Sequence, residues 1–302
     1  MSILKSIGNT PLVEIEGIKV KLEYLNPGGS VKDRIVKYIV EDAEKKGLLK
    51  KGDTLVEAST GNTGIATSLV GAVKGYKVHI FIPKGLSRER SQIMKALGAE
   101  VTLVKRDCVT CAINNVKELA KRSGFFHINQ FENPLNVEEN EKVLGKEILE
   151  QTDRVDAFVA GVGSGGTLIG VGKALRKKFP KVRLVALEPT ECSLMTAAGI
   201  GKLNYKLDQK ICKHHGIEGI ADGLIPKIIQ DNQNLVDEVI RISTQEAIDT
   251  CKVLAKKGYF VGPSSGANIL AAKKLKKKYK NVATLFPDRG DRYLSEDIFA
   301  TA

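Results

Sequence analysis

The sequence predicts an α/β protein built from two three-layer units with mostly parallel sheets. Short aliphatic runs alternate with longer amphipathic segments, and this alternation occurs in two series, one from residue 54 and one from residue 156. Polar, glycine-containing loops follow two of the aliphatic runs. Such alternation is typical of a parallel sheet that is covered by helices on both faces. Because ligands commonly bind in a cleft between two α/β units, we expect a site there.

The first series predicts strands that alternate with helices up to residue 128. Pro83 ends the second strand, and Ser87 is placed to cap the helix that follows. The predicted strands are 54–58, 78–82, 101–104 and 125–128, and the helices run from about 64 to 73, 87 to 97 and 110 to 122.

The second series begins after a long helix that we predict at about 137–150. Its strands are predicted at 156–160, 182–187 and 282–286, and its helices after 167 and at 244–257 and 265–278. The segment 190–237 is less periodic, so we expect loops around a cleft there.

Length and hydropathy point to a water-soluble chain of two domains or of one large α/β unit. Its 302 residues are enough to bury a large core. No apolar run approaches the roughly 20 residues that a bilayer-spanning helix needs. Residues 1–5 lack the apolar centre of a signal peptide, so the sequence predicts a cytoplasmic protein.

The net charge of +12 permits acidic ligands but does not predict a nucleic-acid site. The densest lysine run, 273–280, continues an amphipathic pattern that begins at Ile269 and Leu270. We interpret it as the solvated face of a helix, because no aromatic residues are interleaved for base stacking.

The five cysteines argue against a disulfide framework, because an odd number in a cytosolic-looking chain favours free thiols. Cys108 and Cys111 form a C-x-x-C pair at a predicted helix start, where a thiol pKa can fall. They are interpreted as a redox pair or as ordinary thiols. No metal site is predicted, since no second pair of this kind follows and the adjacent histidines of 212–215 point apart.

Lys32 stands at the start of a predicted helix, directly after the turn-rich segment 26–31. Cations are disfavoured in the first turn of a helix, where the macrodipole is positive. Positive potential and partial desolvation lower the pKa of a lysine amine, which then becomes a nucleophile able to form a Schiff base. The alternative is a solvated lysine that merely follows a turn.

The loop 161–167, Gly-Val-Gly-Ser-Gly-Gly-Thr, resembles a phosphate cradle. It follows a strand and opens a helix, so backbone N–H groups and the helix dipole can face an anion. Ser164 and Thr167 add hydroxyl donors. The spacing fits neither the P-loop nor strictly the dinucleotide fingerprint, and a tight turn without a ligand is the alternative.

Three further polar segments are candidates for a ligand site. The loop 59–64, Ser-Thr-Gly-Asn-Thr-Gly, has the same strand-to-helix context and suits a carboxylate, although one residue would be enough to cap a helix. Gln130 follows the strand-like segment 125–128 and offers an amide. Ser264 and Ser265 precede a predicted helix, where a simple N-cap is the alternative reading.

In their order along the chain, these motifs resemble the cysteine synthase and cystathionine β-synthase family of fold-type II pyridoxal-phosphate enzymes. The resemblance runs from 8–12 to 288–295. It implies a tryptophan synthase β-like fold with pyridoxal 5′-phosphate in the interdomain cleft. It also implies a smaller domain at 36–140, a larger one at 1–35 plus 141–302, and a homodimer.

The resemblance assigns cofactor contacts to eight residues. Lys32 matches the Schiff-base and catalytic lysine, and Asn62 matches the residue that hydrogen-bonds the cofactor 3′-oxygen. Ser264 matches the residue that faces the pyridine nitrogen, with Ser265 as its alternative. The phosphate contacts are assigned to Gly163, Ser164, Gly165, Gly166 and Thr167.

The substrate contacts implied by the resemblance lie in three segments. They are assigned to Ser59, Thr60, Gly61, Thr63, Gln130 and Gly219. The chain departs from the family pattern at Ala221, which replaces a usual glycine, and at Asp222, which replaces a small residue. These changes imply a narrower cleft or a different leaving group.

The implied reaction is β-replacement through an aminoacrylate intermediate, which makes L-cysteine from O-acetyl-L-serine and sulfide. Lys32 removes the α-proton and later returns it. The alternatives are O-phosphoserine as the donor, favoured by basic residues such as Lys213 or Arg289, and condensation of serine or an activated serine with homocysteine. A non-catalytic binding partner of the same fold is the alternative outside enzymes.

Overall fold

The structure is a computed structural model that describes residues 2–106, 108–201 and 212–299. Its strands form two sheets. The strands are β1 Leu12–Ile15, β2 Ile18–Lys21, β3 Thr54–Ala58, β4 Lys77–Pro83, β5 Glu100–Val104, β6 Phe125–His127, β7 Ala157–Gly161, β8 Arg183–Pro189, β9 Glu238–Ile242 and β10 Val282–Leu285.

Eleven α-helices are found in the described residues. They are α1 Lys32–Lys45, α2 Asn62–Lys74, α3 Arg88–Ala96, α4 Val109–Leu119, α5 Pro134–Glu139, α6 Gly145–Glu150, α7 Gly166–Lys178, α8 Leu194–Ala197, α9 Lys227–Asp231, α10 Thr244–Lys256 and α11 Pro263–Lys276. A single π-helical stretch, Asn140–Leu144, joins α5 to α6.

The smaller sheet has the order β5-β4-β3-β6 and is entirely parallel. Successive side chains of β3 point to opposite faces. Leu55 packs on the side of α1, α2 and α3 with Ile65 and Met94, and Val56 packs on the side of α4 with Val116. The three-layer arrangement predicted from the first series is therefore confirmed.

The larger sheet has the order β1-β2-β10-β7-β8-β9. Only β1 runs antiparallel to its neighbour in this sheet. Phe158 of β7 packs on the side of α6 and α7, and Val159 packs on the opposite side with Ile269 of α11. The second predicted series thus also forms a three-layer unit. The division into domains at 36–140 stays a prediction.

Most predicted elements appear within two or three residues of their expected bounds. The long helix predicted at 137–150 is wrong in detail, since α5 begins at Pro134 and the π-helical stretch interrupts it. Asn133 caps α5 by accepting a hydrogen bond from Leu135 N at 3.0 Å. The pattern of residues also failed to indicate β1, β2 and β9. Part of the segment 190–237 expected to form loops, 202–211, lies outside the described residues.

The expectation of free thiols is wrong for Cys192 and Cys212, whereas for Cys108 and Cys111 the structure agrees with the alternative of a bonded pair. Cys108 and Cys111 form a disulfide across the first turn of α4, with their Cα atoms 5.2 Å apart. Cys192 and Cys212 form another, where two segments meet in an isolated antiparallel bridge. Cys251 is a buried free thiol. The second pairing joins residues separated by 20 positions across an aperiodic segment, so periodicity gives no sign of it.

The lysine run lies on a helix as the sequence predicted. Lys273 and Lys274 are exposed on α11 while Leu275 is buried, as a solvated helix face requires. Among the residues that the structure describes, no helix has both the length and the apolar character to cross a bilayer.

Candidate functional site

One cavity brings together all but one of the residues that the sequence assigned to a site. Loops at the carboxyl ends of β3 and β7 form two of its walls, as expected for parallel sheets. The lining also includes the start of α1, the start of α11 and residues 218–220 and 222. Gly166, the first residue of α7, is the exception.

Lys32 is the first residue of α1 and reaches the cavity from a tightly fixed turn. Gly29 before it has a φ of +80°, in the left-handed region that glycine adopts without strain. Val31 N donates to Pro287 O at 2.9 Å, which ties the turn to the residues that follow β10. Burial lowers the pKa of the Lys32 amine, whereas Asp222, Asp288 and Glu57 oppose that shift. The amine can therefore lose its proton more easily than a solvated lysine.

The glycine-rich loop between β7 and α7 approaches other backbone too closely for any side chain. A Cβ at position 163 would lie 2.3 Å from Gly219 O. Gly165 has a φ of +87° and leads into α7. Ser164 is buried, and its Oγ accepts a hydrogen bond from Asn136 Nδ2 at 2.9 Å. Gly163, Ser164, Gly165 and Thr167 line the cavity where α7 begins. A helix start with an adjacent hydroxyl suits a phosphate.

The loop between β3 and α2 folds around the hydroxyl of Ser59. Ser59 Oγ accepts hydrogen bonds from Gly61 N at 2.9 Å and Gly64 N at 3.1 Å. Thr63 Oγ1 donates to Gln130 Oε1 at 2.6 Å, and Gln130 Nε2 donates to Ala58 O at 3.2 Å. These bonds hold the first turn of α2 against the cavity, where its N–H groups favour an anion such as a carboxylate.

Asn62 lies at the start of α2 and bonds to the segment after β10. Its Nδ2 donates to Asp288 Oδ2 at 2.8 Å, and its Oδ1 accepts from Arg292. Tyr293 also donates to Asp288 Oδ2, at 2.6 Å. The sequence resemblance gave Asn62 a cofactor contact but gave no indication of this network, because its partners lie more than 220 residues away.

Ser264 and Ser265 occupy different environments at the start of α11. Both are buried, but Ser264 lines the cavity whereas Ser265 does not. Asn268, one turn further on, accepts from Gly161 N at 2.9 Å and donates to Leu285 O at 2.9 Å. Asn268 was not predicted, although an amide within an otherwise apolar helix stretch was a usable signal.

The mouth of the cavity carries charges that the motif analysis did not use. Arg90 of α3 is buried and forms an ion pair with Glu218. Its Cζ atom lies over the Tyr293 ring, 4.8 Å from the ring centroid. Its Nη1 also donates to Thr60 O at 3.2 Å. Asp222 also lines the cavity, and burial raises the pKa of its carboxyl.

The chemistry of this cavity fits pyridoxal phosphate. The cofactor needs an amine, an anion cradle and a group beside its ring nitrogen. Lys32, the loop 163–167 and Ser264 supply these within one cavity. Within the described ranges no cluster of three or more His, Cys, Asp or Glu side chains is arranged to hold a metal ion.

Comparison with known proteins identifies relatives over nearly the whole chain. Residues 3–288 match the family model described as pyridoxal-phosphate dependent enzyme. A cysteine synthase of Staphylococcus aureus (strain Mu50) is 40% identical over 314 residues, covering 99% of this chain and 97% of the relative.

Two solved structures show the same fold. The cysteine synthase of Entamoeba histolytica is 39% identical with a TM-score of 0.87, covering 99% of this chain and 90% of the other. The O-acetylserine dependent cystathionine β-synthase of Helicobacter pylori is 36% identical with a TM-score of 0.88, covering 99% and 98%. The chain therefore belongs to the pyridoxal-phosphate dependent enzymes, in the cysteine synthase and cystathionine β-synthase family of fold type II.

Proposed function

We propose that this chain is a cysteine synthase that makes L-cysteine from O-acetyl-L-serine and sulfide. The main structural support for this proposal is that Lys32 lines the same cavity as the loops that lead into α2 and α7. Two anion-binding helix starts suit a substrate carboxylate at one end and a cofactor phosphate at the other. The names of relatives at 40% and 39% identity support this assignment.

We assign the cofactor to the residues that the sequence indicated. Gly163, Ser164, Gly165, Gly166 and Thr167 would hold the phosphate, and Asn62 and Ser264 would contact the ring. Pyridoxal phosphate supplies, when bound, an electron sink that stabilises negative charge at the substrate α-carbon. A neutral serine beside the ring nitrogen weakens that sink relative to a carboxylate, which favours loss of a β-substituent over transamination.

Lys32 acts as the proton carrier in this proposal. Its Nζ takes the proton from the substrate α-carbon, and the bond between the β-carbon and the acetate oxygen breaks. After sulfur bonds to the β-carbon, Nζ returns the proton to the α-carbon. Ser59, Thr60, Gly61, Thr63, Gln130 and Gly219 are assigned to bind and orient the substrate during both steps.

The Asp222 carboxyl in the cavity lining favours acetate over phosphate as the leaving group. A carboxylate there opposes a phosphate dianion, whereas Glu218, which also lines the cavity, is paired with Arg90. Arg289 donates through Nε to Tyr24 O at 3.1 Å, and Lys213 is exposed in the neighbouring outer pocket. Neither of the basic residues named from the sequence lines the cavity.

Condensation with homocysteine is a second candidate that one structural feature favours. An outer pocket lined by 212–215 and 218–223 adjoins the cavity and shares Thr60 and Asp222 with it. Such a pocket gives room for a larger thiol. The Helicobacter pylori protein, whose structure matches this chain with a TM-score of 0.88, is named a cystathionine β-synthase.

A two-step mixing experiment tests the proposal. The purified chain is loaded with pyridoxal phosphate and mixed with O-acetylserine, O-phosphoserine or serine, while the visible spectrum is recorded. Sulfide or homocysteine is then added, and the product is identified by mass spectrometry. We expect a spectral change with O-acetylserine and cysteine after sulfide is added. If Lys32→Ala binds and processes the donor like the wild type, the proposal is wrong.

The domain boundaries at 36–140, the homodimer and the cytoplasmic location are also proposals. They rest on the sequence resemblance. Light scattering during gel filtration tests the homodimer, because a monomer would elute with a mass near 32.8 kDa.

A further inference from the structure

Asp222 lies between the cavity of Lys32 and the outer pocket. It lines both, together with Thr60 and Glu218. The outer pocket extends to residues 212–215, which are largely exposed. Asp222 is therefore accessible from the outer pocket, whereas Lys32 lines only the inner cavity.

The backbone around Asp222 is held so that its side chain is presented to the cavity. Gly223 N donates to Ala221 O at 2.7 Å, which makes a tight turn with Asp222 at its centre. Ala221 N donates to Val162 O at 2.9 Å, beside the glycine-rich loop. His215 Nε2 lies 3.2 Å from Ala221 O, which fixes the other side of the turn.

Several charged groups face this carboxyl from different elements. Burial raises the pKa of Asp222, whereas His215, Lys32 and Arg90 oppose the rise, and a hydrogen bond from Thr60 does so as well. Glu218 lines the same cavity and is paired with Arg90. Asp222 in turn opposes the lowering of the Lys32 pKa by burial. The carboxyl therefore holds a proton more readily than a solvated aspartate does.

The proposed reaction leaves one proton without a carrier if the acceptor is neutral. Lys32 already holds the α-proton and must return it to the α-carbon. Hydrosulfide has no proton that it needs to lose, but hydrogen sulfide or a thiol must lose its S–H proton as sulfur bonds to carbon. A carboxylate at the entrance opposes an anion and accepts a proton from a neutral donor.

We infer that Asp222 is a second catalytic base, and that the acceptor enters as neutral hydrogen sulfide or a neutral thiol. The inference rests on the proposed function. As the bond between sulfur and the β-carbon forms, the S–H bond breaks and its proton passes to an oxygen of Asp222. Lys32 Nζ protonates the α-carbon, and Asp222 then releases its proton to solvent through the outer pocket.

Separate measurement of the two half-reactions tests this role. Wild type, Asp222→Asn and Asp222→Glu are loaded with cofactor and mixed first with O-acetylserine and then with sulfide or an alkyl thiol across a range of pH. In Asp222→Asn, the rate of the reaction with the acceptor should be proportional to the ionised fraction of the sulfide or thiol. It should therefore fall about tenfold for each pH unit below the thiol pKa. We expect it to reach about 10²-fold below wild type, with partial rescue by Asp222→Glu. Equal pH profiles in wild type and Asp222→Asn would overturn the inference.

Two further readouts separate this role from an indirect effect on Lys32 or on folding. Infrared difference spectra should show a carboxyl band that titrates above the ordinary aspartate range in wild type and is missing in Asp222→Asn. The solvent deuterium isotope effect on the acceptor step should be larger in wild type than in Asp222→Asn, because Lys32 Nζ delivers an exchangeable proton in both. A missing isotope effect would contradict proton transfer from sulfur, even if the variants failed to fold. If wild type itself made no cysteine from any donor, the proposed function would fail instead.

Discussion

Arg34 and Glu147 form a buried, two-pronged ion pair that joins the start of α1 to α6. Nη1 lies 2.7 Å from Oε1, and Nη2 lies 2.7 Å from Oε2. Arg34 Nε also contacts Glu23 Oε2 at 2.6 Å, and Lys21 Nζ contacts Glu147 Oε2 at 2.8 Å. Because Lys32 lies two residues before Arg34, this network fixes the part of α1 that carries the reactive amine.

Glu147→Gln should destabilise the protein strongly. The change leaves the buried cations of Arg34 and Lys21 short of a carboxylate, which typically costs about 3–5 kcal/mol. Urea unfolding measures the loss in free energy of unfolding. Glu41→Gln is the matched control, because its pair with Lys37 is exposed and contributes at most about 0.5 kcal/mol. Similar small losses in both variants would show that the buried pair does not stabilise the fold.

Glu139→Gln should stabilise the protein as the pH rises. Burial outweighs the nearby Arg34 and raises the Glu139 pKa from 4.5 to about 8. At a pH between these two pKa values, the Glu139 carboxyl is ionised in the unfolded chain but protonated in the folded protein. The unfolded state therefore binds fewer protons. Wild-type stability therefore falls through this interval as pH rises, and the amide removes that loss. Urea unfolding at both ends of the interval checks this, and a pH dependence unchanged by the substitution would contradict it.

The sequence allowed prediction of the local features of the site but not the contacts that hold them together. The loops 59–64 and 161–167 were recognised because each joins a short strand to a helix, a pattern confined to neighbouring residues. Asn136 was missed, although its Nδ2 bonds to Gln130 O at 2.7 Å and to Ser164 Oγ at 2.9 Å. Its importance arises only when two loops that are distant in sequence meet.

The same reason explains the errors over cysteines and helix boundaries. Composition favoured free thiols, but the folded chain brings Cys192 against Cys212. The π-helical stretch lies where α7 passes close, since a Cβ at Gly170 would lie 2.5 Å from Asn140 Cβ. Hydrophobic periodicity indicates which face of a helix is buried. It does not indicate how closely a neighbouring helix packs against that face.

Reduction of the Cys192–Cys212 disulfide should loosen the segment that carries Asp222. Cys192 Sγ lies 3.6 Å from Ala221 O, and the bridge closes a sequence separation of 20 residues. Chain entropy predicts a loss of about 3 kcal/mol. Hydrogen exchange of residues 213–223 should rise in Cys212→Ser.

The Cys108–Cys111 bridge provides the control for this experiment. Its sequence separation is 3 residues, and it lies at the start of α4. A Cys111→Ser variant should lose about 2 kcal/mol or less by the same entropic argument. It should leave hydrogen exchange of 213–223 unchanged. Equal exchange in Cys212→Ser and wild type would show that the longer bridge does not hold this segment.

Gly163→Ala should weaken cofactor binding strongly with a modest loss of stability. The added Cβ would lie 2.3 Å from Gly219 O, so the glycine-rich loop and the segment 218–222 must move apart. That movement displaces the N–H groups proposed to hold the phosphate. Equilibrium dialysis with pyridoxal phosphate measures the affinity, which we expect to fall at least about 10²-fold, equivalent to ~3 kcal/mol.

Gly47→Ala is the control for Gly163→Ala, because it adds a Cβ that introduces backbone strain without a steric clash. Gly47 has a φ of +69°, and an added Cβ would meet nothing within 4 Å. Its position after α1 is remote from the lining of the cavity. The substitution should cost about 1 kcal/mol of stability through strain while cofactor affinity stays at the wild-type value. If Gly163→Ala bound pyridoxal phosphate as tightly as Gly47→Ala, the loop 163–167 would not be the phosphate site, and the cavity's anion would have to bind at the start of α2.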